Sequence, residues 1–138
     1  MNPLIELLND RFSVHENDPL FGTKIVSEKP YVWSSYGEVA QKTRKLAYFL
    51  KSHQHLFQIT ENVPFPTVSI CSSNREDWLI ADFACTYCGY VSVGFHTSWP
   101  YNESLIISKD VNLNVAICDS DKLSLFLRLS LEVLELIL

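Results

Sequence analysis

Residues 67–95 read TVSICSSNREDWLIADFACTYCGYVSVGF. The run opens on Thr67-Val68-Ser69-Ile70-Cys71, short and rich in β-prone residues. Ser73-Asn74-Arg75-Glu76 follows with the spacing of a capping box, in which a Ser hydroxyl takes the amide three residues on and the Glu reaches back. That spacing predicts a helix starting near Asn74. Gly89 is placed to end it, because glycine takes the left-handed backbone of a helix C-terminus without a Cβ clash. Tyr90–Phe95 is the next β-prone run. Beyond it, Ser98 is placed to cap a third helix with Pro100 in its first turn. Leu113–Cys118 reads as a third strand, closed by Asp119-Ser120-Asp121. Strand, helix, strand, helix, strand with short joints predicts parallel β-α-β units, an α/β fold with a partial Rossmann-like parallel sheet.

Upstream, Ser35-Tyr36-Gly37-Glu38 is a second capping box. Val39, Thr43, Leu46, Ala47 and Leu50 then fall on one side of a helix, with Glu38, Gln41, Lys42 and Lys45 on the other. That is an amphipathic helix of about four turns. Before it, Phe21–Val26 and Tyr31–Ser34 flank the turn-like Ser27-Glu28-Lys29-Pro30 and predict a β-hairpin. Residues 52–66 read as a loop, with Pro64 and Pro66 enforcing extended backbone. Three segments result: 1–20, a frayed helix leading into a loop; 21–120, the partial α/β unit; and 121–138, an apolar tail.

Cys85 and Cys88 form a C-x-x-C pair, a spacing that can hold zinc or run thiol–disulfide exchange. On the predicted helix they share a face with Trp78 and Ala81. A zinc site needs two further Cys or His ligands at a matching spacing, and His96 stands alone nearby. A redox pair normally opens a helix, where the dipole favours a thiolate; this pair sits at the closing end, where the dipole opposes one. The spacing therefore predicts two buried core thiols.

Composition narrows the function classes. The net charge is −5 and the pI about 5.3, which argues against a nucleic-acid or anionic-membrane binder. No run of about 18 residues is apolar and uncharged, so no transmembrane segment is predicted. Four scattered cysteines and an N-terminus without a basic leader fit a reducing, cytoplasmic setting.

Candidate chemistry is sparse. Gly22, Gly37, Gly89 and Gly94 are dispersed and form no phosphate loop. His53 and His55, and separately His15 beside Glu16 and Asp18, read as solvated loop residues. The strongest candidates are His96 and Thr97 in Gly94-Phe95-His96-Thr97-Ser98, because open α/β sheets bind ligands beyond the carboxyl ends of their strands; the favoured alternative is that the two residues only shape the turn into the third helix. Asn102-Glu103-Ser104 is a formal glycosylation sequon that a cytoplasmic chain leaves idle.

Tyr31-Val32-Trp33-Ser34-Ser35-Tyr36-Gly37-Glu38-Val39 resembles the Tyr-x-Trp-x-[Ser/Thr]-Tyr-x-Glu-Val segment of long-chain acyl-CoA synthetases, AMP-forming enzymes of the adenylate-forming superfamily. Ser72-Ser73-Asn74-Arg75-Glu76-Asp77-Trp78 resembles the same family's Asn-Arg-x-Glu-Trp helix start, and Thr97 and Leu113 through Asp119 fall where further family features stand. The resemblance covers about residues 20–120. It implies a ligase that uses ATP and Mg²⁺ to join a fatty acid to AMP and then passes the acyl group to CoA, in a cytoplasmic protein peripheral to membranes. The family's Ser/Thr/Gly-rich phosphate loop, Tyr-Gly-x-Thr-Glu segment, ribose-binding Asp and catalytic Lys have no counterpart here. No catalytic, cofactor-binding or metal-binding residue is therefore assigned, and the chain is expected to be an inactive N-terminal fragment. Gly94-Phe95-His96 also departs from the family's Pro-Leu-Tyr. Residues 123–138 hold Leu, Ile, Val or Phe at 11 of 16 positions and stop mid-run. An apolar stripe of that kind is expected to need a partner surface, to drive self-association, and to be better deleted for solubility. The alternative function is a non-catalytic interaction protein using this stripe.

Overall fold

The computed structural model describes residues 2–133 and the backbone of 136–137. The chain runs α1 (Pro3–Val14), β1 (Pro19–Thr23), β2 (Val32–Ser35), α2 (Tyr36–Ser52), β3 (Thr67–Cys71), α3 (Glu76–Cys88), β4 (Val91–Gly94), α4 (Tyr101–Asp110), β5 (Val115–Cys118), α5 (Leu123–Ser130) and β6 (Leu136–Ile137). β1 and β2 form the expected antiparallel hairpin, paired from Pro19 with Ser35 to Thr23 with Val32. The first strand starts two residues earlier than predicted, and Ile25 and Val26 lie in the turn. Every described pairing in the second sheet is parallel, in the order β4-β3-β5-β6. β3 is central and buried along its whole length, as a strand covered on both faces must be.

Two helical layers cover the sheet. On one face, Ala47 and Leu50 of α2 and Ala84, Cys85 and Cys88 of α3 pack on Val68 and Val115. On the other, Phe126 and Leu129 of α5 pack with Cys71, Phe95, Leu113 and Ala116, beside Tyr101 and Leu105 of α4. This is the doubly wound α/β arrangement that the β-α-β pattern predicts.

Four expectations change. α1 is not frayed: the Asn2 side chain accepts the Leu4 amide at 3.0 Å, and Phe12 is buried against Val39, Ala40 and Ile80. α3 starts at Glu76 and has no side-chain cap. The Ser73 amide and hydroxyl both donate to Asp119 Oδ2, at 2.9 and 3.2 Å, since a carboxylate is the stronger acceptor. Ser98 does not cap α4, which begins behind Pro100; its amide and hydroxyl instead turn to His96 Nδ1, at 3.2 and 2.7 Å. Finally, the apolar run after residue 122 finds a partner within the chain. Phe126 and Leu129 are fully buried and α5 carries the chain on to β6 beside β5. Deleting 122–138 would strip one face of the sheet, so the expected gain in solubility is withdrawn. Leu123, Leu127 and Leu131 remain exposed on that helix and its end.

Two glycines have identifiable duties. Gly89 adopts φ +70° at the end of α3, as its position predicts. Gly37 donates its amide to Glu16 O at 2.9 Å, and a Cβ there would come within 2.8 Å of Glu16 Cγ.

Candidate functional site

The carboxyl ends of β3, β4 and β5 point the same way. The chain leaves β3 for β4 on one side, while β5 returns on the other side of β3. The topology therefore reverses between β3 and β5, and the tips of those strands frame the crevice where such sheets bind ligands. Asp119 follows β5 and stands at this point. Its amide donates to Cys71 O at 3.0 Å, tying the two strand tips together. Burial pushes its carboxyl pKa up, but the Ser73 amide and hydroxyl, Ser72 and the Arg75 guanidinium outweigh burial and hold it below the usual value. Arg75 Nη2 lies 3.5 Å from Asp119 Oδ2, and its Nε and Nη2 reach Ser73 Oγ at 3.3 and 3.1 Å. A small cleft of about 330 Å³ opens beside this network, lined by Ser72, Arg75, Trp78, Cys118 and Asp119 among others.

Glu76, at the first turn of α3, fixes the loop from the other side. It accepts from Ser34 Oγ at 2.6 Å and from Lys42 Nζ at 2.5 Å. Those two bonds lower its pKa, the Lys42 bond most, and the same bond raises the pKa of Lys42. The hairpin, α2 and α3 are thus joined at one carboxylate.

His96 and Thr97 lie where predicted, beyond β4. They line a cleft of about 590 Å³ with Ser72, Ser73, Asn74 and the rings of Trp78, Phe95 and Trp99. With Nδ1 of His96 taken by Ser98, Nε2 is the ring nitrogen left for a ligand. His53 is drawn into the end of α2, 2.8 Å from Phe49 O, and stacks on Phe49 and His55. His15 pairs with Asp18 at 2.7 Å and tilts over Tyr36. The C-x-x-C thiols are core: Cys88 Sγ donates to Ala47 O at 3.3 Å, and burial pushes Cys85 up to about 12. Among the described residues, no group of three His, Cys, Asp or Glu side chains is placed to hold a metal ion.

Sequence reasoning missed the Ser73–Arg75–Asp119 network. Asp119 was visible only as the residue closing a strand. Its role depends on which strand lies beside β3, and that order is not written in local spacing.

Comparison with known proteins now bears on the whole chain. The AMP-binding enzyme family matches residues 14–135. Mouse (Mus musculus) long-chain-fatty-acid–CoA ligase 6 is 35% identical over 97 residues, 70% of this chain and 13% of the mouse protein. Long chain acyl-CoA synthetase 7, peroxisomal, of Arabidopsis thaliana is 24% identical over 139 residues, 96% of this chain and 19% of that one. The chain thus spans less than a fifth of the length of these relatives. Among solved structures, the anthranilate CoA ligase AuaEII in complex with anthranoyl-AMP superposes with a TM-score of 0.76 at 20% identity, over 96% of this chain and 24% of that one. The fatty acid AMP ligase from Legionella pneumophila superposes at 0.68 and 13% identity, over 88% of this chain and 20% of that one. At these identities the structures establish the fold alone; the match over residues 14–135 establishes the family. The chain belongs to the AMP-binding enzymes, in the adenylate-forming acyl-CoA ligase family.

Proposed function

We propose that the chain supplies the first β-α-β units of a long-chain fatty acid–CoA ligase, and that these units have no ligase activity on their own. The observation that carries this reading is the 35% identity to a mouse long-chain-fatty-acid–CoA ligase across 70% of the chain. In the whole enzyme the reaction would consume ATP with Mg²⁺, pass through an acyl-adenylate, and deliver the acyl group to CoA, in a cytoplasmic or membrane-peripheral location.

The residues present do not fit ATP and Mg²⁺ by themselves. Asp119, the carboxylate at the strand tips, is committed to Ser73 and Arg75. Among the described residues, positive φ occurs at Gly89, at the closing end of α3, and at Asn112, between α4 and the start of β5, both away from those tips. Among the described residues, no succession of backbone amides at those tips is therefore placed to cradle phosphates. What these residues contribute is a scaffold, holding β3, α3 and the hairpin in fixed relation through Glu76 and Asp119.

The test has two arms. The purified chain is assayed for fatty-acid-dependent ATP–pyrophosphate exchange, and none above buffer is expected. Residues 14–135 are then exchanged for the matching segment of rat long-chain-fatty-acid–CoA ligase 5, which is 25% identical. A soluble hybrid retaining palmitate-dependent exchange supports the reading. A folded hybrid that binds ATP yet forms no acyl-adenylate contradicts it, as does exchange by the chain alone.

A further inference from the structure

We propose that Cys71 and Cys118 form a peroxide-oxidisable dithiol, closing to an intrachain disulfide across the tips of β3 and β5. The proposal rests on the sheet register and stands apart from the ligase reading. Cys71 and Cys118 are direct partners in the parallel ladder, each the last residue of its strand. In-register partners project to the same face of a sheet, and both cysteines pack in the same cluster under α5. Neighbouring strands lie about 4.8 Å apart, inside the Cα separation of about 4.4–6.8 Å that a disulfide spans. The register thus brings together two thiols that are 47 positions apart in the sequence, by subtraction of their numbers.

Access is asymmetric. Cys71 is fully buried, whereas Cys118 is half-buried and lines the cleft beside Asp119. A hydroperoxide entering that cleft meets Cys118 first. The Cys118 thiolate attacks the peroxide, breaks the O–O bond and becomes a sulfenic acid as hydroxide leaves. The Cys71 thiolate then attacks the Cys118 sulfur and displaces the second hydroxide. Two thiols and one hydrogen peroxide become one disulfide and two waters, a two-electron exchange. The product would bind the loops carrying Ser73, Arg75 and Asp119 to a single covalent frame.

The surroundings set the pace. Burial pushes Cys118 up to about 11, and Cys71, Asp119 and Asp121 add to that. Burial likewise raises Cys71, with Lys122 opposing and Asp119 and Asp121 assisting. Thiolate is therefore scarce at neutral pH, and the dithiol persists in a reducing compartment. Oxidation should quicken about tenfold per pH unit below the thiol pKa.

The experiment is disulfide mapping by mass spectrometry of the wild-type chain exposed to hydrogen peroxide, native and in guanidinium chloride, at about pH 7 and about pH 9. In guanidinium, Cys85 and Cys88 should couple preferentially, because the shortest loop closes most readily. In native buffer, a reducible Cys71–Cys118 link should dominate, lower the mass by about 2 Da and form faster at the higher pH. A native Cys85–Cys88 or intermolecular link, the same pairing in both solvents, Cys118 sulfinic acid with Cys71 untouched, or no reaction would each overturn the proposal.

Discussion

The two cysteine pairs of this protein sit at opposite ends of the β3–α3 unit and differ in kind. Cys85 and Cys88 are adjacent by helical spacing, and that adjacency made them look like a chemical motif. They close α3 under α2, both buried in the core, with Cys88 donating to Ala47 O. Cys71 and Cys118 share no motif, yet the sheet register makes them neighbours beside a solvent-reaching cleft. A motif written along the chain thus reports packing, while the pair with chemical opportunity is created by topology. The reason is exposure: α3 turns its C-terminal thiols inward, whereas parallel strands deliver their last residues to the rim.

The largest expected effect comes from removing the cover over the strand-tip pair. Phe126→Ala, at a fully buried ring, should cost about 3–5 kcal/mol of unfolding free energy, measured by denaturant unfolding. Leu131→Ala, 85% exposed at the end of the same helix, should stay within about 0.5 kcal/mol. Equal effects would show that the apolar tail is not part of the core and would erase the difference in cover between the two pairs.

Within the helical pair, the two thiols should separate. Cys85→Ser places a hydroxyl in a dry core and should cost about 1–3 kcal/mol. Cys88→Ser keeps an acceptor, Ala47 O, and should cost less than half as much. Thermal unfolding of both variants decides it; the reverse order would mean that Cys85 has polar company.

A smaller effect tests the rim. Asp119→Asn keeps the shape but loses the charge that Ser73 and Arg75 share, and should cost about 1 kcal/mol at neutral pH. The sign with pH follows from a native pKa held below the unfolded value of about 3.9. The carboxylate stabilises the fold above that value, and the contribution fades as pH falls through the lower, native pKa. The variant should therefore show a shallower loss of stability in acid than the wild type. An unchanged acid limb would mean that Asp119 does not hold the strand tips through its charge.

Two capping boxes explain how much was legible. Ser35 and Glu38 form theirs as read, with the Ser35 amide 2.8 Å from Glu38 Oε2 and the Glu38 amide 3.2 Å from Ser35 Oγ. Ser73 and Glu76 have the same spacing and form none. Their groups are claimed by Asp119, Ser34 and Lys42, which lie 46, 42 and 34 positions away. Local spacing decides a cap only where no distant partner outbids it. The same limit applies to the site. The alternation of strands and helices placed His96 and Thr97 correctly beyond β4, since that needs only local order. Asp119 facing Ser73 needs the strand order β4-β3-β5, which is a property of the assembled sheet. Phe126 and Leu129 were legible as apolar but not as core, because the surface they cover is built by residues 71–116.

The most direct test of the contrast between the pairs is native-state alkylation of all four cysteines, followed residue by residue with iodoacetamide and mass spectrometry. The account predicts that Cys118 is modified first, and that Cys85 and Cys88 react only as fast as the fold opens, accelerating together with added denaturant. Cys85 and Cys88 reacting as readily as Cys118 in native buffer would contradict it.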